Sequence, residues 1–276
     1  MPEGDTVHKI AGYLAPRLTG RTIRAGRAAA HPEVDLAGRR IEEVRVHGKH
    51  LFFSLDDGTW LRSHLGMHGS WHRYPSGQRW RLSPARASIV LETEGEVYVC
   101  FDAEEVERVR RGSVREREIE TRIGPDLLAP ELDLDRVVAR ARRFVDPDAT
   151  AADLLLDQRV ASGIGNVYKS EVLFLEGIAP RRTFAALDDE TIRRLYGTAR
   201  DLLQRNVGAG PRVTRFAGEG TEGRLWVYHR LSLPCFRCGR PIRYARIGRT
   251  NRSTYWCAAC QPDEAGGLSG SVGTER

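Results

Sequence analysis

Two groups of residues in this 276-residue chain have the types and spacing to do chemistry, one at each end. The first is Pro2 with Glu3. Loss of Met1 leaves a proline secondary amine as the leading group of the chain. Such an amine adds to an aldehyde or anomeric carbon and gives an iminium ion, whereas most side-chain nucleophiles need a separate base. An α-amino group has a reference pKa of about 7.7–8.0 against about 10.4 for lysine, so roughly a third of it is neutral near pH 7.5 and only about a thousandth of a lysine. Many chains begin Met-Pro without chemical consequence, so this pair needs support from elsewhere.

The second group supplies it. Cys235-x2-Cys238, eighteen residues and then Cys257-x2-Cys260 have the two-knuckle spacing of a four-thiolate zinc ribbon. Each pair sits on a tight turn so that four sulfurs form a tetrahedron. Four protein ligands close the site, so one structural zinc is expected, holding a hairpin with too little core to fold alone. Five cysteines cannot form a complete disulfide set, and Cys100 is left as a buried strand residue.

Charge points to the partner. The net charge is only +6, but residues 200–256 hold twelve arginines against three acids, with Tyr244, Tyr255 and Trp256 among them. A merely solvated basic face would carry interleaved acids; this stretch fits a phosphate-rich polymer. The chain has 40 arginines and only three lysines, Lys9, Lys49 and Lys169, so each lysine raises the question of what an amine does there that a guanidinium could not. At 41% hydrophobic residues the length favours two domains over one. No apolar run approaches the roughly 18 residues of a membrane helix and no signal peptide opens the chain, which makes the cytoplasm the expected compartment and excludes a membrane protein.

The elements that must position these residues follow from periodicity. Val7, Ile10, Ala11, Leu14 and Leu18 predict a helix over 5–18 with Asp5 as N-cap. Residues 20–102 read as a β-sandwich or barrel, with hairpins turning at Asp56-Asp57-Gly58 and Glu94-Gly95-Glu96. From about 103 to 206 the pattern is helical, with helices predicted over 133–144, 150–161, 166–176 and 188–206. Prolines 125, 130 and 147 interrupt the chain near a boundary, and residues 262–276, rich in Gly and Ser, read as a disordered tail.

Two further motifs are ambiguous by themselves. Gly163-Ile164-Gly165-Asn166 predicts either a tight joint whose free backbone N–H groups grip a phosphate, or an ordinary turn with Asn166 as N-cap. His64, His68 and His72 have a four-residue spacing, but Gly66 and Gly69 argue against a helix, and loop histidines beside arginines meet solvent or phosphate more often than a metal.

Taken together, Pro2-Glu3-Gly4-Asp5, Gly48-Lys49-His50-Leu51, His64-Leu65-Gly66-Met67, the run from Ile123 to Leu128, the run from Gly163 to Tyr168, and the ribbon ending Cys257-Ala258-Ala259-Cys260-Gln261 resemble the formamidopyrimidine-DNA glycosylase/endonuclease VIII family, in the family's order. The resemblance implies an α+β multidomain fold. It consists of a catalytic β-sandwich with its N-terminal helix (1–124), a linker with a connecting helix (125–149), a helix-two-turns-helix domain (150–228) and a zinc ribbon (229–261). It implies a base-excision DNA glycosylase and abasic-site lyase, with Pro2 as nucleophile and Glu3 as acid/base. Lys49, Asn166 and Arg252 hold phosphates, and Met67 is an apolar wedge for the hole left by a flipped nucleotide. The expected partner is damaged DNA, bound by a monomer in a bacterial cytoplasm at the nucleoid. No cofactor beyond zinc is needed, because the iminium is itself the electron sink.

A silent DNA-binding paralogue or an RNA-binding ribbon protein would use the basic end but have no need of Pro2, Glu3 and Lys49 together. In the 8-oxoguanine branch an Arg-Arg-Phe stretch reads the orphaned cytosine; here the corresponding run from Cys100 to Val106 lacks it, and residues 208–227 are short for a capping loop. The expectation is therefore a preference for oxidised pyrimidines and abasic sites, including single-stranded or bubble DNA, with strand cleavage by β,δ-elimination. An 8-oxoguanine and formamidopyrimidine preference is the alternative.

Overall fold

The computed structural model describes residues 2–28, 35–216 and 223–263, with Glu120 described by its backbone alone. The predicted apolar stripe forms helix α1, Gly4–Leu18, with Val7, Ala11, Leu14 and Leu18 buried. Eight strands follow: β1 (Ala25–Ala28), β2 (Ile41–His47), β3 (His50–Leu55), β4 (Thr59–His64), β5 (Ser70–Pro75), β6 (Ala87–Glu92), β7 (Glu96–Phe101) and β8 (Glu105–Arg110). They make two antiparallel four-stranded sheets, β1-β6-β7-β5 and β2-β3-β4-β8. Phe53, Leu61, Leu91, Tyr98 and Cys100 fill the core shared with α1.

Helix α2 (Val114–Arg122) leads to a second core, built by α3 (Leu134–Phe144), α4 (Ala151–Leu156), α5 (Asn166–Leu175) and α6 (Asp189–Arg205) around Val137, Leu155, Tyr168, Tyr196 and Leu203. Its helix starts are capped as their sequences require: Asp133 and Asp188 accept first-turn N–H groups, and Thr150 with Asp153 forms a capping box. Helix α5 is the central pillar, buried from Asn166 through Phe174. The hairpin β9 (Arg243–Ile247) and β10 (Arg252–Trp256) packs on it, above a small cluster of Phe174, Trp226, Val227 and Ile242. Buried Glu171 on α5 accepts the N–H groups of Trp226, Val227 and Tyr228 at 2.7–2.9 Å, which fixes the chain entering the ribbon.

Several sequence expectations need correction. The helical half does not begin at 103: residues 105–110 form β8, because Glu105 and Glu107 pair with buried Arg62 of β4, and Val109 packs on Trp60 and Phe52. Helix α2 went unpredicted, having too few apolar residues for a visible stripe; Ser113 caps it by accepting the Glu116 N–H. The helix expected over 150–161 stops at Leu156, where Asp157 takes the C-cap. Asp5 is not an N-cap but lies inside α1 and pairs with Arg212, and Glu3 holds the cap position. Asn166 is the first helical residue of α5, with Gly165 in the cap position. His64 and His72 lie on strands rather than in a loop. The tail reading for 262–276 falls, from 264 on, outside the described residues.

Candidate active site

A cleft of about 320 Å³ between the sandwich, α5 and the ribbon hairpin brings Pro2, Lys49, Met67, Asn166 and Arg252 together from five separate stretches of chain. Lys49 reaches it from the two-residue turn between β2 and β3. That turn cannot bear a side chain at Gly48, where φ is +61° and an added Cβ would lie 2.5 Å from Ser162. Asp126 fixes the turn by accepting the Gly48 N–H at 2.7 Å, while its same oxygen lies 3.0 Å from His8 on α1. Met67 stands half-exposed on the turn after β4, and Arg252 Nη1 lies 3.8 Å from its sulfur.

Glu3 lies under this cleft, fully buried. Its carboxyl oxygens accept the backbone N–H groups of Gly165 at 2.8 Å, Val167 at 2.9 Å and Tyr168 at 3.3 Å, at the start of α5. A helix N-terminus favours an acidic side chain there. The Gly4 N–H donates to Gly163 O at 2.9 Å, so the chain start is seated on the glycine joint through both backbone and side chain. The Gly165, Val167 and Tyr168 amides are thus taken by Glu3 and not free to grip a phosphate. What this element offers the cleft is the Asn166 side chain.

Electrostatics in the cleft are mixed. Burial pulls the Lys49 amine below the ordinary lysine value of 10.5, Glu3 and Glu104 pull it back, and Arg252 adds to the lowering. His50 is driven down to about 2 by burial, then by His64 and Arg62, and its Nδ1 accepts from Arg62 Nη1 at 3.0 Å. His64 is also lowered, first by burial and then by Lys49. Both rings are therefore neutral at physiological pH and wall the cleft without adding charge. Beneath it, Arg212 bonds Asp5 and Thr6, and its Nη1 lies 3.6 Å from Glu3.

The sequence reading missed Arg212, Asp126 and the histidine pair. Arg212 is one of twelve arginines in its stretch and carries no distinguishing local signal. Asp126 lies in a segment recognised as a motif but given no role.

The four ribbon cysteines sit away from the cleft. Their sulfurs all lie within 4.8 Å of one another, with Cys238 to Cys257 at 3.4 Å and Cys235 to Cys260 at 3.9 Å. A tetrahedral zinc with Zn–S bonds near 2.3 Å needs sulfurs about 3.8 Å apart, so this donor set fits such an ion.

Residues 1–109 match the model of the formamidopyrimidine-DNA glycosylase N-terminal domain, and residues 123–217 that of the formamidopyrimidine-DNA glycosylase H2TH domain. A Streptomyces coelicolor protein named probable endonuclease 8 2 is 37% identical over 99% of this chain and 98% of its own length. The DNA-(apurinic or apyrimidinic site) lyase Nei2 of Mycolicibacterium smegmatis is 39% identical over 95% of this chain and 99% of its own. The crystal structure of the MutM (Fpg) protein from Thermus thermophilus superposes with a TM-score of 0.77 at 31% identity, covering 95% of this chain and all of that one. Identity at this level along nearly the whole chain, carried on the same fold, makes the chain a member of the formamidopyrimidine-DNA glycosylase/endonuclease VIII family, on its endonuclease VIII-like branch.

Proposed function

We propose that the chain is a bifunctional DNA glycosylase and abasic-site lyase of base-excision repair. The observation that carries this reading is the meeting, in one cleft, of Pro2 with three side chains able to donate to phosphates, Lys49, Asn166 and Arg252. Binding alone has no use for a secondary amine there. The names of its relatives, endonuclease 8 and abasic-site lyase, support the same class of reaction.

In this chemistry the Pro2 nitrogen attacks C1′ of the damaged nucleotide, and the base leaves with its electron pair and a proton. Glu3, next to the amine, delivers a proton to the sugar ring oxygen, and the ring opens to an iminium. Loss of a C2′ proton then expels the 3′ phosphate, and a second elimination expels the 5′ phosphate before water hydrolyses the Pro2 adduct. Lys49, Asn166 and Arg252 hold the flanking phosphates, and Met67 fills the gap in the stack. A zinc ion on Cys235, Cys238, Cys257 and Cys260 cross-links the hairpin that carries Arg252 and takes no part in bond breaking. The enzyme works as a monomer.

Oxidised pyrimidines are the proposed preference. Only Asp102, Ala103 and Glu104 separate β7 from β8, and Glu105 is tied to Arg62 at 2.7 Å. That link offers no arginine to read an orphaned cytosine, which also suits single-stranded and bubble substrates.

Borohydride reduction tests the mechanism. It should trap the chain on abasic-site DNA through Pro2, and a tag left on the N-terminus should abolish both trapping and cleavage. Activity with an intact tag, or a cross-link mapping to a lysine, overturns the Pro2 assignment.

A further inference from the structure

One buried lysine is left unused by that chemistry. Lys169 is fully buried on α5, among nine successive buried residues. Its ammonium donates to Asn166 Oδ1 at 3.2 Å, one turn back on the same helix, and to the Ser253 carbonyl at 2.9 Å and Thr254 Oγ1 at 2.8 Å on β10. An ammonium has three N–H donors, so all are used. Burying such a charge is costly unless it is satisfied, and burial does draw Lys169 down to about 7, against the opposing pull of Glu3 and Asp153.

Each bond has a consequence at the cleft. An asparagine amide can present either its oxygen or its nitrogen. With Oδ1 held by the buried amine, Nδ2 is fixed as the donor end: one of its hydrogens reaches Ser253 Oγ at 3.3 Å, the other is left to meet a ligand, and only this end donates to a phosphate. Ser253 and Thr254 directly follow Arg252, so the same amine pins the strand that carries the third phosphate-binding group. Three acceptors gathered around one point suit a compact ammonium; the planar fork of an arginine would not reach all three. This answers, at one position, why a lysine survives in a chain so rich in arginine.

We propose that Lys169 is a positioning residue that sets the phosphate-binding groups Asn166 and Arg252 in one fixed geometry by tying α5 to β10. The proposal rests on the phosphate-clamp reading above. Binding to a duplex with a tetrahydrofuran abasic analogue, followed by fluorescence anisotropy, tests it for wild type, Lys169→Met, Asn166→Ala and the double variant, each checked for full zinc content. Each single change should weaken binding by about tenfold, the scale of one charge-assisted hydrogen bond, and raise the KM of strand cleavage more than it lowers kcat. The double variant should lose clearly less than the product of the two single losses, because part of the Lys169 effect passes through that amide and the rest through the strand that carries Arg252. Losses that simply add would overturn the positioning role while leaving the clamp intact. Unchanged binding by Asn166→Ala would overturn the clamp and the positioning role together. If Lys169→Met does not fold, Thr254→Val, which removes one acceptor and leaves the charge, enters the same cycle under the same criterion.

Discussion

The Glu3 carboxyl group accepts the Gly165 backbone N–H at 2.8 Å, across 162 positions of sequence. This one contact places the proposed proton donor at a helix start and holds the sandwich to the helical half. Glu3→Gln keeps the shape of the side chain and removes its capacity to act as an acid or base. Base excision in single-turnover assays should fall by about 10²-fold or more, the usual worth of a positioned acid or base, while affinity for abasic-site DNA stays within a few-fold. Lost binding with unchanged turnover would contradict the assignment.

Gly165 tests the same contact from its other side. A Cβ at this position would sit 2.5 Å from the Glu3 carboxyl carbon, whereas one at Gly197 on α6 would meet nothing nearer than 3.9 Å. Gly165→Ala should therefore cost about 1–3 kcal/mol of stability, the range for overpacking, and slow excision as Glu3 is displaced. Gly197→Ala should be neutral or slightly stabilising, since Ala is the better helix former. Thermal melts of the two variants side by side decide the matter.

Lys49 should make DNA binding pH-dependent. Its folded value lies below the ordinary 10.5. Between those limits the unfolded chain holds more protons, so this group's contribution to stability rises with pH through that window. A phosphate at Lys49 favours the charged amine, so DNA binding takes up a proton and affinity falls as pH climbs through the same window. In Lys49→Met that dependence should flatten, and the salt slope of binding should shrink by up to about one phosphate's worth. Arg252→Ala should reduce the salt slope similarly. An unchanged slope in both would place these side chains outside the DNA contact.

The ribbon should hold one zinc per chain, read by elemental analysis. Cys257→Ala should lose the metal and weaken DNA binding, because Arg252 lies on the strand that runs into that ligand. Zinc-free protein with full affinity would end the structural role.

Side-by-side cleavage of thymine glycol and 8-oxoguanine:C duplexes tests substrate preference. Thymine glycol should be processed faster, given the three-residue link between β7 and β8. The reverse order would mean that another element reads the opposite strand.

What the sequence made legible was whatever local chemistry forces. The α1 stripe, the hairpin at Glu94-Gly95-Glu96 and the cysteine knuckles each follow from a few adjacent residues. What stayed hidden depends on partners distant in sequence. Strand β8 is a strand because Arg62 receives its glutamates, and Glu3 leaves its own helix because α5 offers three amides. Asp5 looked like a cap until Arg212, 207 residues away, claimed it. Pro2 was a candidate from its own chemistry, whereas Lys49, Asn166 and Arg252 took their roles from family resemblance, and the convergence of all four on one cleft is a property of the fold alone.

The seating of the chain start on the 163–168 joint also sets an order of events during synthesis. Glu3 leaves the ribosome 162 residues ahead of Gly165. At 5–20 residues per second that is a lead of roughly 8–30 s. In the proposed chemistry Met1 must be gone before the amine can act, and the lead gives the processing enzyme its access while the docking surface does not yet exist. Once α5 emerges, its amides become available to Glu3 and the chain start docks. In the proposed chemistry a chain that still carried Met1 would have a blocked amine, so the rate of N-terminal maturation would bear on how much of the protein is active.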